Sequence, residues 1–307
     1  MTDPATEPHI RTVTGRMPIS DLAGRTLAHE HLRMDLRWPV RAESDPGRFL
    51  DEEIHVCDEL TRLRERQELG LVVELTCLGM GRDASALARI SAASGVAVVA
   101  GTGFFCEPFH PVSARDADAG RLAERLIAEI GFGMDGTSVL PGVIGEVGCW
   151  GEQPTPAEEA ALRAAAAASL QSGLAIATHG RSGTAQLELL LESGVAPEKI
   201  AVGQQSLTGD PGAHRKLAEL GAYVSFGRLA ATGDRAVRPV LELIEAGHAD
   251  RLLLGGGICR MGQLAHYGGP GYGTVHDDFV PALRAAGADE AALDLITREN
   301  TLRWLAV

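Results

Sequence analysis

Short apolar stretches alternate along the chain with longer segments in which apolar residues recur at helical spacing. Eight of the short stretches have the length and the β-branched or apolar content of buried strands. They cover residues 26–31, 71–76, 96–100, 142–147, 174–178, 200–203, 222–226 and 251–254. Helical periodicity predicts helices over residues 51–69, 84–94, 121–130, 156–171, 184–192, 213–220, 236–246 and 277–286.

Strict alternation of strands and helices indicates an α/β fold with a parallel sheet, and eight units indicate closure into a (β/α)8 TIM barrel. An open, doubly wound sheet is the weaker alternative, because no glycine-rich dinucleotide fingerprint follows the first strand. The 307 residues fit one such barrel. We therefore expect a single domain over residues 1–307, with residues 1–11 as a flexible tail.

Charge and cysteine content restrict the partners and the compartment. The formal net charge of −13 argues against nucleic acid and anionic membranes as partners, and no apolar run is long enough to span a bilayer. Five scattered cysteines without a CxxC pair are typical of free thiols in a reducing cytoplasm. We expect a cytoplasmic protein that acts on a small molecule. The sequence leaves open whether it forms a homodimer.

A His-x-His pair in the first predicted strand is the strongest chemical signal. His29 and His31 project to the same face of an extended strand, where two imidazoles can share a metal such as zinc. In a barrel, functional residues lie at the C-terminal ends of the strands, and Glu146 and His179 occupy that position on strands 4 and 5. Each residue alone also fits a structural role, but together they predict a metal site.

Several motifs resemble those of the phosphotriesterase family, and nearest its phosphotriesterase-related branch, from about Thr12 to Leu305. Residues 24–31 (Gly-Arg-Thr-Leu-Ala-His-Glu-His) resemble the opening strand of that family, and residues 142–149 resemble the branch in which a glutamate bridges two metals. Further matches lie at 81–83, 101–105, 109–111, 268–273 and 299–301. The resemblance implies an amidohydrolase-type barrel, a hydrolytic activity, and Glu146 as the bridge.

Two positions depart from the pattern that the resemblance implies. The family has His-Leu-Asp-Arg after strand 6, whereas this chain has Gln204-Gln205-Ser206-Leu207. The family has Ser-His-Asp after strand 8, whereas this chain has Gly255-Gly256-Gly257. One ligand of each metal is thus replaced, and Gly257 stands where the family has the aspartate that takes a proton. We expect at most one zinc ion per chain, or none, with His29, His31, Glu146 and His179 as ligands and Glu146 and His179 as catalytic residues.

Loops after the strands supply the expected walls of a substrate pocket. The candidates are Phe104, Phe105, Cys106, Trp150, Arg181, Gln204, Arg228, Tyr267 and Tyr272. Arg181 and Arg228 suit a carboxylate or phosphate, although surface arginines usually pair with a protein's own acids.

Three functions remain open at this point. The first is a hydrolase of an ester, lactone or amide with at most one metal. The second is a lyase, isomerase or cyclase on the same barrel that needs no metal, and the third is a ligand-binding homologue without turnover.

Overall fold

The computed structural model describes residues 7–181, 183–207 and 210–307. Eight parallel strands in these ranges form one sheet in which neighbours in sequence are neighbours in space. The strands are β1 (Arg25–Glu30), β2 (Leu69–Glu74), β3 (Ala97–Thr102), β4 (Val143–Gly148), β5 (Ile176–His179), β6 (Ile200–Val202), β7 (Tyr223–Phe226) and β8 (Leu252–Leu254).

The sheet curls into a nearly closed barrel with helices between its strands. Its first and last strands meet at the mouth, where the amide of Gly257 donates to the carbonyl oxygen of His29 over 3.1 Å. All seven ladders between consecutive strands are parallel, as the alternation of strands and helices requires. The predicted (β/α)8 TIM barrel is therefore confirmed.

Helices fill the connections at the predicted places. The α-helices cover Glu53–Gln67, Ala84–Ser94, Ala119–Phe132, Pro156–Ser172, Gly183–Glu192, Pro211–Glu219, Leu229–Thr232, Val237–Glu245, Val280–Ala285, Glu290–Asp294 and Asn300–Leu305. Local sequence explains several ends. Thr155 and Glu158 form a capping box at the start of the helix that begins at Pro156, and Gly95 and Gly173 end their helices in the left-handed conformation.

The N-terminal segment is more ordered than expected. Strand His9–Thr12 pairs with Gly15–Pro18 in an antiparallel hairpin, and Ile10 is fully buried. His9 also exchanges backbone hydrogen bonds with Val307 at the other end of the chain. The expectation of a flexible tail over residues 1–11 is therefore wrong for residues 9–11, because an apolar side chain there packs into the core. Residues 1–6 of that tail lie outside the described residues.

Two layers of apolar side chains surround the sheet. Alternate strand residues such as Val73, Val99 and Ala177 form one cluster with Ile10 and Trp304, which close the N-terminal end of the barrel. The other strand residues pack against the surrounding helices. The mouth at the opposite end is left for polar residues. Within the described ranges, every helix is too short or too polar to cross a lipid bilayer.

Candidate active site

Glu146, in β4, is the centre of a polar cluster at the mouth of the barrel. Its Oε1 atom lies 2.6 Å from Nδ1 of His179 and 3.3 Å from Nε2 of His29. Its Oε2 atom lies 3.9 Å from Nε2 of His31. The structure thus brings together the four residues that the sequence singled out from three strands.

Burial and mutual attraction set the charge state of this cluster. Burial alone raises the pKa of a carboxyl group, but His179 and His29 hold the pKa of Glu146 well below its ordinary value. Burial lowers the pKa of His31 to about 3 and also lowers the pKa of His29. An ionised carboxylate beside neutral imidazoles is the combination that binds a divalent cation.

A hydrogen-bonded relay orients His31. Nδ1 of His31 lies 3.0 Å from Oγ1 of Thr76, and that hydroxyl donates to the carboxylate of Glu74. When Glu74 is ionised, the hydroxyl of Thr76 donates to Glu74, and the Thr76 oxygen accepts from Nδ1–H of His31. The lone pair of His31 then lies on Nε2, the atom that faces Glu146. Burial raises the pKa of Glu74 to about 8, although Thr76 and the amide of Leu32 donate to it.

The carboxylate of Glu30, between the two histidines, fixes the loop after β8. It accepts from the amides of Gly256 (2.5 Å) and Ile258 (3.1 Å), and it is fully buried. Burial raises the pKa of Glu30 to about 8, against the effect of those amides. Glu30 therefore supports the site through the backbone rather than as a ligand.

In the loop after β8, backbone atoms fill the space where a metal ligand or a general base would need a side chain. Gly257 has φ +64°, and a Cβ built on it lies 2.2 Å from the carbonyl oxygen of Gly227. A Cβ on Gly227 would lie 2.4 Å from Nδ1 of His29. Both contacts are closer than real Cβ atoms show, so β7 and β8 approach the site as bare backbone.

Gln204, after β6, contributes a neutral amide. Its Nε2 atom lies 3.0 Å from Nδ1 of His179, and its backbone has φ +62°. Nδ1 of His179 carries one proton at most, and the ionised carboxylate at 2.6 Å is the stronger acceptor. An amide is a weak ligand for transition metals, so Gln204 does not complete a second site.

The residues present fit one divalent cation. His29, His31 and Glu146 each offer a ligand atom, and these atoms lie within 4.8 Å of one another. Two imidazoles and a carboxylate are a donor set that zinc takes in catalytic sites, with a further position open. His179 is not part of this three-residue group in the described chain, although it contacts Glu146 directly.

A cavity of about 450 Å³ opens beside the cluster. His179 joins the two, since it contacts Glu146 and also lines the cavity. Of the nine predicted pocket residues, Trp150, Arg181, Gln204 and Arg228 line it. Among the described residues, the lining consists of Arg48, Cys149, Trp150, Gly151, Glu152, His179, Gly180, Arg181, Gln204, Leu207 and Arg228. A slightly larger cavity, about 480 Å³, lies at the opposite end of the barrel, beside Gly24 and Gly70.

Five predicted pocket residues lie elsewhere. Tyr272 is fully buried behind β1, where its hydroxyl donates to the carbonyl oxygen of His31. Tyr267 lies on the surface against His55 and His266. Phe104 and Cys106 are buried below the loops, and burial raises the pKa of the Cys106 thiol well above its usual range.

Phe105 is buried too, but its ring packs edge-on against His179 at 4.7 Å between centroids. The apolar character of the loop after β3 explains why it packs inward rather than facing the cavity.

Three residues that support the site were not predicted from the sequence. Glu74 and Thr76, at the end of β2, carried a usable signal as polar residues at a strand end, whereas Arg48 lies in a long connection and carried none.

Comparison with known proteins agrees with this geometry. The model of the phosphotriesterase family matches residues 8–305. The chain is 33% identical over 287 residues to the phosphotriesterase homology protein of Escherichia coli K12, covering 91% of this chain and 97% of that one. It is 30% identical over 342 residues to the N-acetyltaurine hydrolase of Rattus norvegicus, covering 96% and 97%.

Solved structures show the same likeness. The crystal structure of the E. coli phosphotriesterase homology protein, with phosphate in its active site, superposes with a TM-score of 0.88 at 32% identity. That superposition covers 93% of this chain and 99% of the other. A structure of a resiniferatoxin-binding protein from Rhodobacter sphaeroides gives a TM-score of 0.89 at 30% identity, covering 97% and 94%. On this evidence the chain belongs to the phosphotriesterase family.

Proposed function

We propose that this phosphotriesterase-like protein hydrolyses an ester, lactone or amide bond of a small molecule, with one divalent cation at most. The observation that carries the proposal is the convergence of His29, His31 and His179 on the ionised carboxylate of Glu146. The N-acetyltaurine hydrolases among the relatives act on an amide, which supports a carboxyl-type substrate.

His29, His31 and Glu146 would hold the cation, and zinc suits two imidazoles and a carboxylate best. A cation bound there supplies Lewis-acid polarisation of a carbonyl group and lowers the pKa of water. Thr76 fixes the tautomer of His31, so that Nε2 is available as a ligand atom. Glu146 supplies the negative charge that balances the cation.

His179 is the residue we propose as the acid–base group. Its Nδ1–H donates to Glu146, so its Nε2 atom carries the lone pair, and the ring borders the cavity. It can therefore accept a proton from the attacking water and return it to the leaving group. This assignment replaces the aspartate that the family pattern has at position 257. A positioned base contributes about 10²–10⁴-fold to rate. We therefore expect low activity on generic substrates whose bound position leaves the attacking water out of hydrogen-bond reach of His179.

A metal-independent lyase, isomerase or cyclase is the second candidate. The bare backbone at Gly227 and Gly257 favours it, because that side of the mouth offers no side chain to move a proton from water. The His179–Glu146 pair alone could then act on a carbon acid in the cavity.

One assay separates these candidates. Protein stripped with a chelator is tested on a panel of carboxyl esters, lactones and N-acyl amides, before and after one equivalent of Zn²⁺ is added. Hydrolysis that appears with metal and is absent from Glu146→Gln supports the proposal. Turnover that persists in chelator contradicts it and favours the second candidate, and binding without any turnover indicates a ligand-binding homologue.

We also propose a cytoplasmic location for the protein. Among the described residues, Cys57, Cys77, Cys106 and Cys259 form no disulfide, and all but Cys57 are buried. Free thiols at this density suit a reducing compartment.

A further inference from the structure

Three arginines from separate parts of the chain line the cavity beside His179. Arg48 precedes the short strand Phe49–Leu50, Arg181 follows β5, and Arg228 follows β7. Among the described lining residues, Glu152 is the one with a carboxylate, and it is exposed. Because the three arginines lie on different loops, their proximity results from the fold of the barrel and not from one turn or helix.

None of the three guanidinium groups forms an ion pair or a side-chain hydrogen bond among the described residues. Arginines elsewhere do so readily: Arg82 is paired with Glu129 and Asp135, and Arg260 is paired with Asp45. The chain has 41 acidic and 28 basic residues, so partners are plentiful. Three unpaired cations in one cavity of an acidic protein are therefore unusual, and the simple explanation of arginines paired with the protein's own acids does not apply to them.

The cavity lies directly beside the proposed reacting groups. His179 lines it together with the three arginines, and Nδ1 of His179 lies 2.6 Å from the carboxylate of Glu146. The arginines therefore share a cavity with the proposed acid–base residue.

From this juxtaposition, and on the basis of the proposed function, we propose that the enzyme takes an anionic substrate, whose carboxylate, sulfonate or phosphate binds Arg48, Arg181 and Arg228. Guanidinium groups bind such oxyanions through paired, charge-assisted hydrogen bonds. An anion there relieves the repulsion among the three cations. It also holds the scissile bond over His179, because His179 and the arginines line the same cavity.

Matched probes test the proposal by binding, independently of turnover. Titration calorimetry at low salt compares N-acetyl-β-alanine with its neutral amide on the wild-type protein. We expect the acid to bind at least about tenfold more tightly. Arg181→Gln and Arg228→Gln should each remove most of that preference, and the corresponding lysine variants should keep part of it.

Arg62→Gln is the matched control, because it removes the same charge from an exposed position on helix Glu53–Gln67. Equal binding of acid and amide, binding of neither probe, or an equal loss in Arg62→Gln overturns the proposal. Hydrolysis is recorded on the same samples. Acid binding without hydrolysis counts against the proposed function alone, and equal hydrolysis of both probes counts against the anion site alone.

Discussion

Two halves of the barrel mouth differ in what they present to the centre. Strands β1, β4 and β5 present His29, His31, Glu146 and His179, four side chains with ligand or acid–base chemistry. Strands β6, β7 and β8 present an amide from Gln204 and the backbone of Gly227 and Gly257. Both halves rest on the same parallel sheet, so the difference arises from the residues at the strand ends rather than from the fold.

The half of the mouth formed by β6, β7 and β8 is closed by backbone contacts in addition to lacking ligand side chains. The amide of Gly257 donates to His29, and Glu30 clamps the loop through the amides of Gly256 and Ile258. A Cβ at position 257 has no room beside the carbonyl oxygen of Gly227. The difference teaches that a glycine at a ligand position can come with backbone packed so closely that the position has no room for a side chain.

The largest effect is expected on the side-chain half. Glu146→Ala should lower metal affinity beyond detection and hydrolysis by at least about 10³-fold, because it removes the charge that joins three imidazoles. Elemental analysis and an esterase or amidase assay measure the two losses. Glu124→Ala, on the exposed face of helix Ala119–Phe132, is the control and should change neither. Retained metal in Glu146→Ala would place the cation elsewhere.

The next effect compares the two replaced positions directly. Gly257→Asp should destabilise the protein by about 2–4 kcal/mol, because both its φ of +64° and the carbonyl of Gly227 disfavour a side chain. Thermal unfolding should show a fall in Tm of roughly 3–6 °C. Gln204→His exchanges one polar side chain for another of similar size and should unfold close to the wild type. If the Gly257→Asp variant kept the wild-type Tm and bound more metal than the wild type, the loop would not be closed as described.

A smaller effect tests the support of His31. Thr76→Val keeps the shape of the residue but removes the hydroxyl between His31 and Glu74. We expect metal affinity to fall about 10–100-fold, the usual consequence of removing a partner that orients a ligand. Thr301→Val, at the closed end of the barrel beside Thr26, should lower stability without changing metal affinity. Equal affinities in the two variants would remove Thr76 from the site.

The smallest effect is a pH dependence far from the mouth. Burial lowers the pKa of His276 to about 4, and its Nε2 atom faces the carbonyl oxygen of Thr26. The unfolded chain binds a proton there below pH 6.5 and the folded chain only near pH 4. Stability therefore falls as the pH falls through this interval, by on the order of 2 kcal/mol from this residue. Urea unfolding of His276→Gln should show a shallower decline, and parallel curves would exclude His276.

The sequence predicts strands and helices well here because apolar periodicity reports burial directly. Helix Ala84–Ser94 has the predicted ends, whereas the hairpin at His9–Pro18 and the helices after Glu290 were missed. Those segments pack onto the barrel rather than repeating its pattern. His29, Glu146 and His179 were identified because strand ends converge in a barrel.

Backbone and distant residues limited the prediction of the site. The closure at Gly257 depends on φ and on the position of Gly227, which composition and spacing do not reveal. Tyr272 was expected at the pocket but lies behind His31, and Arg48 came from a long connection between β1 and β2. Tertiary packing decides the direction of such side chains. The sequence alone could therefore name candidates but could not show which of them face the pocket.

Metal stoichiometry tests the central claim most directly. The protein is purified without added metal, titrated with Zn²⁺, and analysed by elemental analysis together with anomalous diffraction from crystals. We expect at most one transition-metal ion per chain, bound by His29, His31 and Glu146 and absent from Glu146→Ala. Two tightly held ions per chain, with the second beside Gln204 or Gly257, would contradict it.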